Sequence, residues 1–177
     1  MARKRALAAH PAFFLALALV SFSLFAVLTR LGMGGTGGRE GGLAVPEQFA
    51  GLPRTSLLTG EAARREITGM HGRSLAFSDG YKAQYGQGAE QVVVWLVTTA
   101  DQVKAQALVK EMTDRIGPSN KVFSPPEALQ VGGALAYRTE GMGMVHYYYA
   151  RGNRVYWVGI KSPRERELLA RAMAGGL

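Results

Sequence analysis

Three side chains able to ligate a soft metal stand at alternate positions in the last third of the chain: Met142, Met144 and His146. In a β-strand that spacing places all three on one face. Two thioethers and an imidazole, in a chain without cysteine, would suit Cu(I) outside the cytoplasm or the iron of a haem. The geometry weighs against a single ion. Same-face neighbours in a strand lie roughly 7 Å apart, so one metal would reach all three only if the strand bent at Gly143. Met70-His71 is the other Met-His pair, and nothing in the spacing brings it near. The favoured expectation is a packed strand with His146 hydrogen-bonded or at the strand's edge, and no cofactor.

The same stretch continues into three consecutive tyrosines. Tyr147 and Tyr149 alternate against Met144, His146 and Tyr148. With Tyr137, Tyr156 and Trp157 on neighbouring strands, the set Tyr137, Tyr147, Tyr149, Tyr156 and Trp157 forms a candidate aromatic platform. Rings with polar tips suit a protein partner or a sugar ring. The competing expectation is burial on both faces, with the hydroxyls finding internal partners.

Acid–base chemistry has thinner support. Asp79 and Glu140 sit at turn-rich positions, but no spacing makes them a catalytic pair. No His-Glu-x-x-His, Gly-x-Ser-x-Gly, Walker or calcium-loop pattern occurs. A small envelope hydrolase is therefore the weaker class, and a binding or assembly module without catalysis the stronger one. The lack of cysteine excludes disulfides, thiolate metal sites, haem attachment through Cys and a lipoprotein anchor.

These residues need elements to position them. Residues 45–58 read as a leading extended segment bent at Pro46 and Pro53. Thr59 can cap a helix over 60–70 with Ala63, Ile67 and Met70 on one face. Residues 74–85 read as a hairpin whose loop is Ser78-Asp79-Gly80, pairing Phe77 with Tyr81 and Leu75 with Ala83. QVVVWLV at 91–97 is apolar on both faces and predicts a central strand. Thr99 and Gln102 have capping-box spacing before a helix that buries Ala105, Leu108, Val109, Met112 and Ile116. Pro125-Pro126 enforces an open loop within 119–132. Strands are predicted at 134–139, 144–150 and 154–161, and Ser162-Pro163-Arg164-Glu165 has capping-box form before a last helix.

A duplication can be traced through this layout. Arg65-Glu66-Ile67-Thr68 matches Lys110-Glu111-Met112-Thr113, and Tyr85-x-x-Gly88 leading to Trp95 matches Tyr149-x-x-Gly152 leading to Trp157. A pseudo-symmetric pair of helix–meander units is one architecture that would follow.

The compartment is set by residues 6–29, twenty-four residues without a formal charge, flanked by Arg3, Lys4, Arg5 and Arg30. As a helix this run would extend about 36 Å, enough to cross a hydrocarbon core of roughly 30 Å. It is long for a removable signal and lacks a good small-x-small site directly after it, so an uncleaved anchor is the expectation, with a signal cleaved late at Gly32-Met33-Gly34 as the alternative. The basic residues favour a cytoplasmic amino terminus. Residues 31–43 contain seven glycines and, lacking a flanking strand and a Lys-Ser/Thr helix, read as a flexible tether rather than a phosphate loop.

The expected organisation is therefore a basic tip and transmembrane anchor at 1–30, a Gly-rich linker at 31–44 and an extracytoplasmic α+β domain at 45–177. That domain is expected to hold antiparallel sheet(s) and about three helices. Residues 44–177 carry sixteen basic against twelve acidic side chains, a net of +4. This mild bias favours anionic lipids or wall polymers only slightly. The expected partners are the bilayer, through residues 6–29, and an envelope protein or glycan. Nucleic acid is not an expected partner.

Overall fold

Residues 90–98 are apolar toward both sides, and such a strand is stable only if covered on both. In the computed structural model, which describes residues 43–71, 75–117 and 120–177, this strand lies at the centre of the fold. Along the chain come β1 (Gln48–Phe49), β2 (Leu52–Thr59), α1 (Gly60–His71), β3 (Asp79–Gln87), β4 (Glu90–Thr98) and α2 (Gln102–Arg115). They are followed by β5 (Glu127–Val131), β6 (Ala134–Gly141), β7 (Met144–Arg151), β8 (Arg154–Lys161) and α3 (Glu165–Arg171). The chain ends in a wider helical turn, Ala172–Gly176. The domain is α+β, one eight-stranded antiparallel sheet in the order β1-β2-β3-β4-β8-β7-β6-β5 with three helices.

The two faces of β4 have different covers. Val97 packs under α1 and α2 with Ala63, Ile67, Ala105 and Val109. Val92, Val94 and Leu96 face the other layer, closed by Phe49, Leu52, Leu168 and Leu169. The second helix buries the stripe read from its sequence: Ala105, Val109, Met112 and Ile116 are all inside, and Leu108 is partly buried against them. Its cap is Asp101, whose carboxylate accepts from Lys104 N at 2.7 Å. Thr99 is drawn away from that role. Its backbone N–H donates to Asn153 O at 2.8 Å and its hydroxyl to Asp101 O at 2.8 Å, tying β4 to the β7–β8 turn.

Several expectations are overturned. The transmembrane-helix-plus-domain architecture is not the fold seen: among the described residues no helix is long and apolar enough to cross a membrane. The fourteen-residue α2 reaches only about 21 Å and keeps an exposed polar face. The apolar run 6–29 and the glycines of 31–42 lie outside the described residues.

The hairpin at Asp79-Gly80 does not form. Tyr81 pairs with Thr59 and Leu96, and Ala83 with Leu57 and Val94. The reason is that β4 offers a nine-residue partner after the turn at Gly88-Ala89, against the few short pairs a turn at 79–80 could make. Gly80 is a strand residue whose added Cβ would come within 2.6 Å of Leu96 O, so its small size serves close sheet pairing rather than a turn. Met70, expected to be inside, is 53 % exposed.

The duplicated helix–meander unit is not the architecture either. After α1 the chain enters β3 directly, whereas β5 and β6 intervene between α2 and the β7–β8 hairpin. Aligning the turns Gly88-Ala89 and Gly152-Asn153 does place Tyr85 on Tyr149, but it places Trp95 on Gly159. Trp95 and Trp157 are instead cross-strand partners at the middle of the sheet.

Three tyrosines that look alike in sequence differ in how their hydroxyls are held. Tyr148 donates to Thr113 Oγ1 at 3.1 Å. The hydroxyls of Tyr81 and Tyr149 are buried with no partner among the described residues, and burial raises both phenols well above their ordinary pKa. Leaving a buried hydroxyl unpaired costs free energy, so its removal is tolerated, whereas losing a made bond costs about 1 kcal/mol. Tyr149→Phe is therefore expected to leave urea-unfolding stability unchanged or higher, and Tyr148→Phe to lower it by about 1 kcal/mol.

Candidate binding groove

The β5–β6 end of the sheet and the start of α3 enclose a groove on the face opposite α1 and α2. Its apolar lining is Leu129, Val131, Tyr147 and Leu169, and its charged lip is Arg138, Arg164, Glu165, Arg166 and Glu167. Local chemistry explains how the lip is held. Ser162 does not close a capping box with Glu165. Its Oγ accepts from Arg164 N at 3.0 Å and lies 3.1 Å from Glu90 Oε1, while Arg164 Nε donates to the same Glu90 oxygen at 2.9 Å. These bonds hold the Glu90 carboxyl below its ordinary pKa, the Arg164 bond foremost. The start of α3 is thus fastened to the β3–β4 turn.

Glu165 is then free to turn inward, where it accepts from the Tyr147 hydroxyl. Burial, reinforced by this carboxylate, pushes the Tyr147 phenol up to about 12. Arg138 stands 3.9 Å from Glu165, 4.0 Å from Glu127 and 2.5 Å from Glu140. Glu167 is matched by Arg164 at 3.5 Å and Arg171 at 3.4 Å. Every carboxylate of the lip therefore has a cation. Arg166, exposed at the start of α3, has no ion pair or hydrogen bond among the described residues.

The residues singled out from sequence lie mostly elsewhere. Tyr147, Tyr149 and Tyr156 are buried on the groove side of the sheet, and only Tyr147 reaches the groove itself. Tyr137 and Trp157 lie on the helix-covered face, partly buried. There the rings stack across three strands, Tyr137 on Tyr148 at 5.3 Å and Tyr148 on Trp157 at 5.1 Å. Alternation put the five side chains on two opposite faces, so they form no common exposed platform.

Met142 is 78 % exposed in the β6–β7 turn. Met144 is partly buried, and His146 is 2 % exposed under the aromatic stack. Both imidazole nitrogens are engaged. Trp157 Nε1 donates to Nδ1 at 2.8 Å, so Nδ1 accepts and the proton sits on Nε2, which donates to Gly141 O at 3.1 Å. Nδ1 has no lone pair left for a metal. Among the described residues no group of three or more His, Asp or Glu could hold one, and the side chain of His71 lies outside them. Asp79 accepts from its neighbour Gly80 N at 2.7 Å and Glu140 is held by Arg138. Three strands separate the two, so they make no acid–base pair.

The groove residues Leu129, Val131, Arg138, Glu165, Arg166 and Leu169 were not identified from the sequence. The alternating Leu129 and Val131 just after Pro125-Pro126 were the available signal, since such a pattern marks a short edge strand. Compared with known proteins, the chain matches no family model, no curated protein and no solved structure.

Burial lowers the pKa of His146 from 6.5, which gives a pH dependence of defined sign. The unfolded chain takes up the proton first as pH falls, so stability is fully present above about 6.5 and declines as pH drops toward the folded value. The slope is at most about 1.4 kcal/mol per pH unit. Chemical denaturation at stepped pH is expected to show this decline in the wild type and to lose it in His146→Gln. A second check uses Gly159, whose added Cβ would lie 3.0 Å from the imidazole. Gly159→Ala is expected to displace the ring and shift Trp157 fluorescence.

Proposed function

We propose that the domain is a binding module, acting without catalysis, whose ligand lies in the groove between β5, β6 and α3. The observation that carries this reading is the combination of an apolar floor with a lip of side chains already fixed in place. Leu129, Val131, Tyr147 and Leu169 can exclude water from a ligand, and the ion pairs around Arg138 and Arg164 hold the lip without help from one. Preorganisation of this kind lowers the ordering cost of binding. The carboxylates present are matched to cations rather than poised as an acid and a base. The uncharged run 6–29 supports a location at a membrane, with residues 45–177 on the outer side and an envelope protein or glycan as partner.

Two measurements test this. A photo-crosslinking benzoylphenylalanine in place of Val131, in the full chain in intact cells, is expected to give a discrete adduct. The same group in place of Val103, exposed on α2, is expected to give none. Equal labelling at both positions, or at neither, overturns the groove as the ligand site. Protease added to sealed, right-side-out cells is expected to digest the domain, and protection there would overturn the outer location.

A further inference from the structure

The geometry points to β-strand addition as the way the groove is filled: an extended segment of a partner protein, apolar at alternate positions and bearing carboxylates, pairs with β5 as a ninth strand. This rests on the groove being the ligand site and specifies how it is used and by what.

The first observation is the state of the sheet's edges. The strand order ends at β5, which pairs with β6 through Glu127–Val131 and among the described residues has no strand on its other side. A strand in that position presents unpaired backbone groups able to template another chain. The run just before it cannot do so. Residues 123–126 continue along β6, with Phe123 bridged to Gly141 and Ser124 N donating to Glu140 O at 2.8 Å, but Pro125 and Pro126 have no N–H to offer. The opposite edge is blunted as well. It carries the two-residue β1, Pro53 and a register shift between Arg54 and Ser56. Among the described residues, Glu127–Val131 is the longest outer-edge run without a proline or a bulge; on the opposite edge the comparable run is the shorter Ser56–Thr59 of β2, which leads straight into α1.

The second observation is what lies beside that edge. Leu129 and Val131 share the groove face, while Ala128 and Gln130 alternate to the other side. An added strand would present its own alternate side chains beside these two, so apolar residues two apart would extend the floor. Charge then selects among such peptides. Glu165, Glu167 and Glu127 already have cations, and Arg166 has none among the described residues. An incoming carboxylate finds in Arg166 a guanidinium with no partner among the described residues, whereas Arg138 is already shared by Glu127, Glu140 and Glu165 and Arg164 by Glu90 and Glu167.

The test uses the full chain in detergent and a displayed library of random heptapeptides. Selected sequences are expected to combine apolar residues two apart with at least one Asp or Glu. Methylating alternate backbone amides of a selected peptide is expected to weaken it about tenfold, the loss of one or two hydrogen bonds. Arg166→Glu is expected to weaken it roughly two- to fivefold while leaving the melting temperature unchanged, since Arg166 has no ion pair or hydrogen bond among the described residues. Peptides that bind equally well when methylated, or that lack any acidic preference, overturn the inference even if they compete with the Val131 adduct, in which case the groove itself stands. Failure to select any peptide, or binding of phosphatidylglycerol vesicles that Arg166→Glu abolishes, overturns strand addition in favour of another occupant. Absence of both selected peptides and a Val131 adduct removes the groove reading as well.

Discussion

The pairing of β4 with β8 is the contact on which the rest depends. Eight consecutive residues of each strand are in register, from Gln91 with Lys161 to Thr98 with Arg154. On one side of this seam lie β1 to β3, on the other β5 to β7. Without it the chain would be two separate meanders, each exposing a long apolar edge that could not remain unpaired in water. The residues at the seam suit it. Val92, Val94, Val158 and Ile160 face one layer, while Trp95 and Trp157 stand opposite each other on the other face. Partners some sixty residues apart must meet here, so the seam carries a loop-closure cost that shorter hairpins do not.

The two layers built on this seam have different character. The helix-bearing face is closed by α1 and α2 and holds the ring stack of Tyr137, Tyr148 and Trp157, with His146 locked beneath by two hydrogen bonds. The other face is closed more lightly, by β1 and the preceding residues at one side and by the short α3 and the final turn at the other. The groove lies where that second cover ends. Arg151, whose Nη1 donates to Met173 O at 3.3 Å, and Arg164, bonded to Glu90, fasten the ends of the C-terminal segment to the sheet. The groove is thus a consequence of a seven-residue helix covering only part of a wide sheet.

This division separates chemistry used for stability from chemistry available to a ligand. Of the Met142, Met144 and His146 set, only His146 lies inside, where it is bonded to Trp157 and Gly141, while Met144 is partly buried and Met142 stands exposed in the turn. Most of the tyrosines are structural too, their rings buried between strands. What remains accessible beside the groove is a short sheet edge, an apolar strip and a guanidinium, that of Arg166, without a partner among the described residues.

Much of the local structure follows from the sequence alone. The two-sided apolarity of 91–97 made that segment a central strand, the spacing of Ala105, Val109, Met112 and Ile116 defined a helix and its buried face, and the last three strands were read close to their observed ranges. These features depend on neighbours within one or two turns of chain, where periodicity and turn chemistry act directly. The pairing of Asp79–Gln87 with β4, the meeting of Trp95 with Trp157, and the union of β5 with the start of α3 were decided by tertiary structure. Each depends on which distant strand competes best for a backbone edge, and a one-residue change of register exchanges the two faces. For that reason the residue types capable of chemistry were legible one by one, and which of them would share a surface was not.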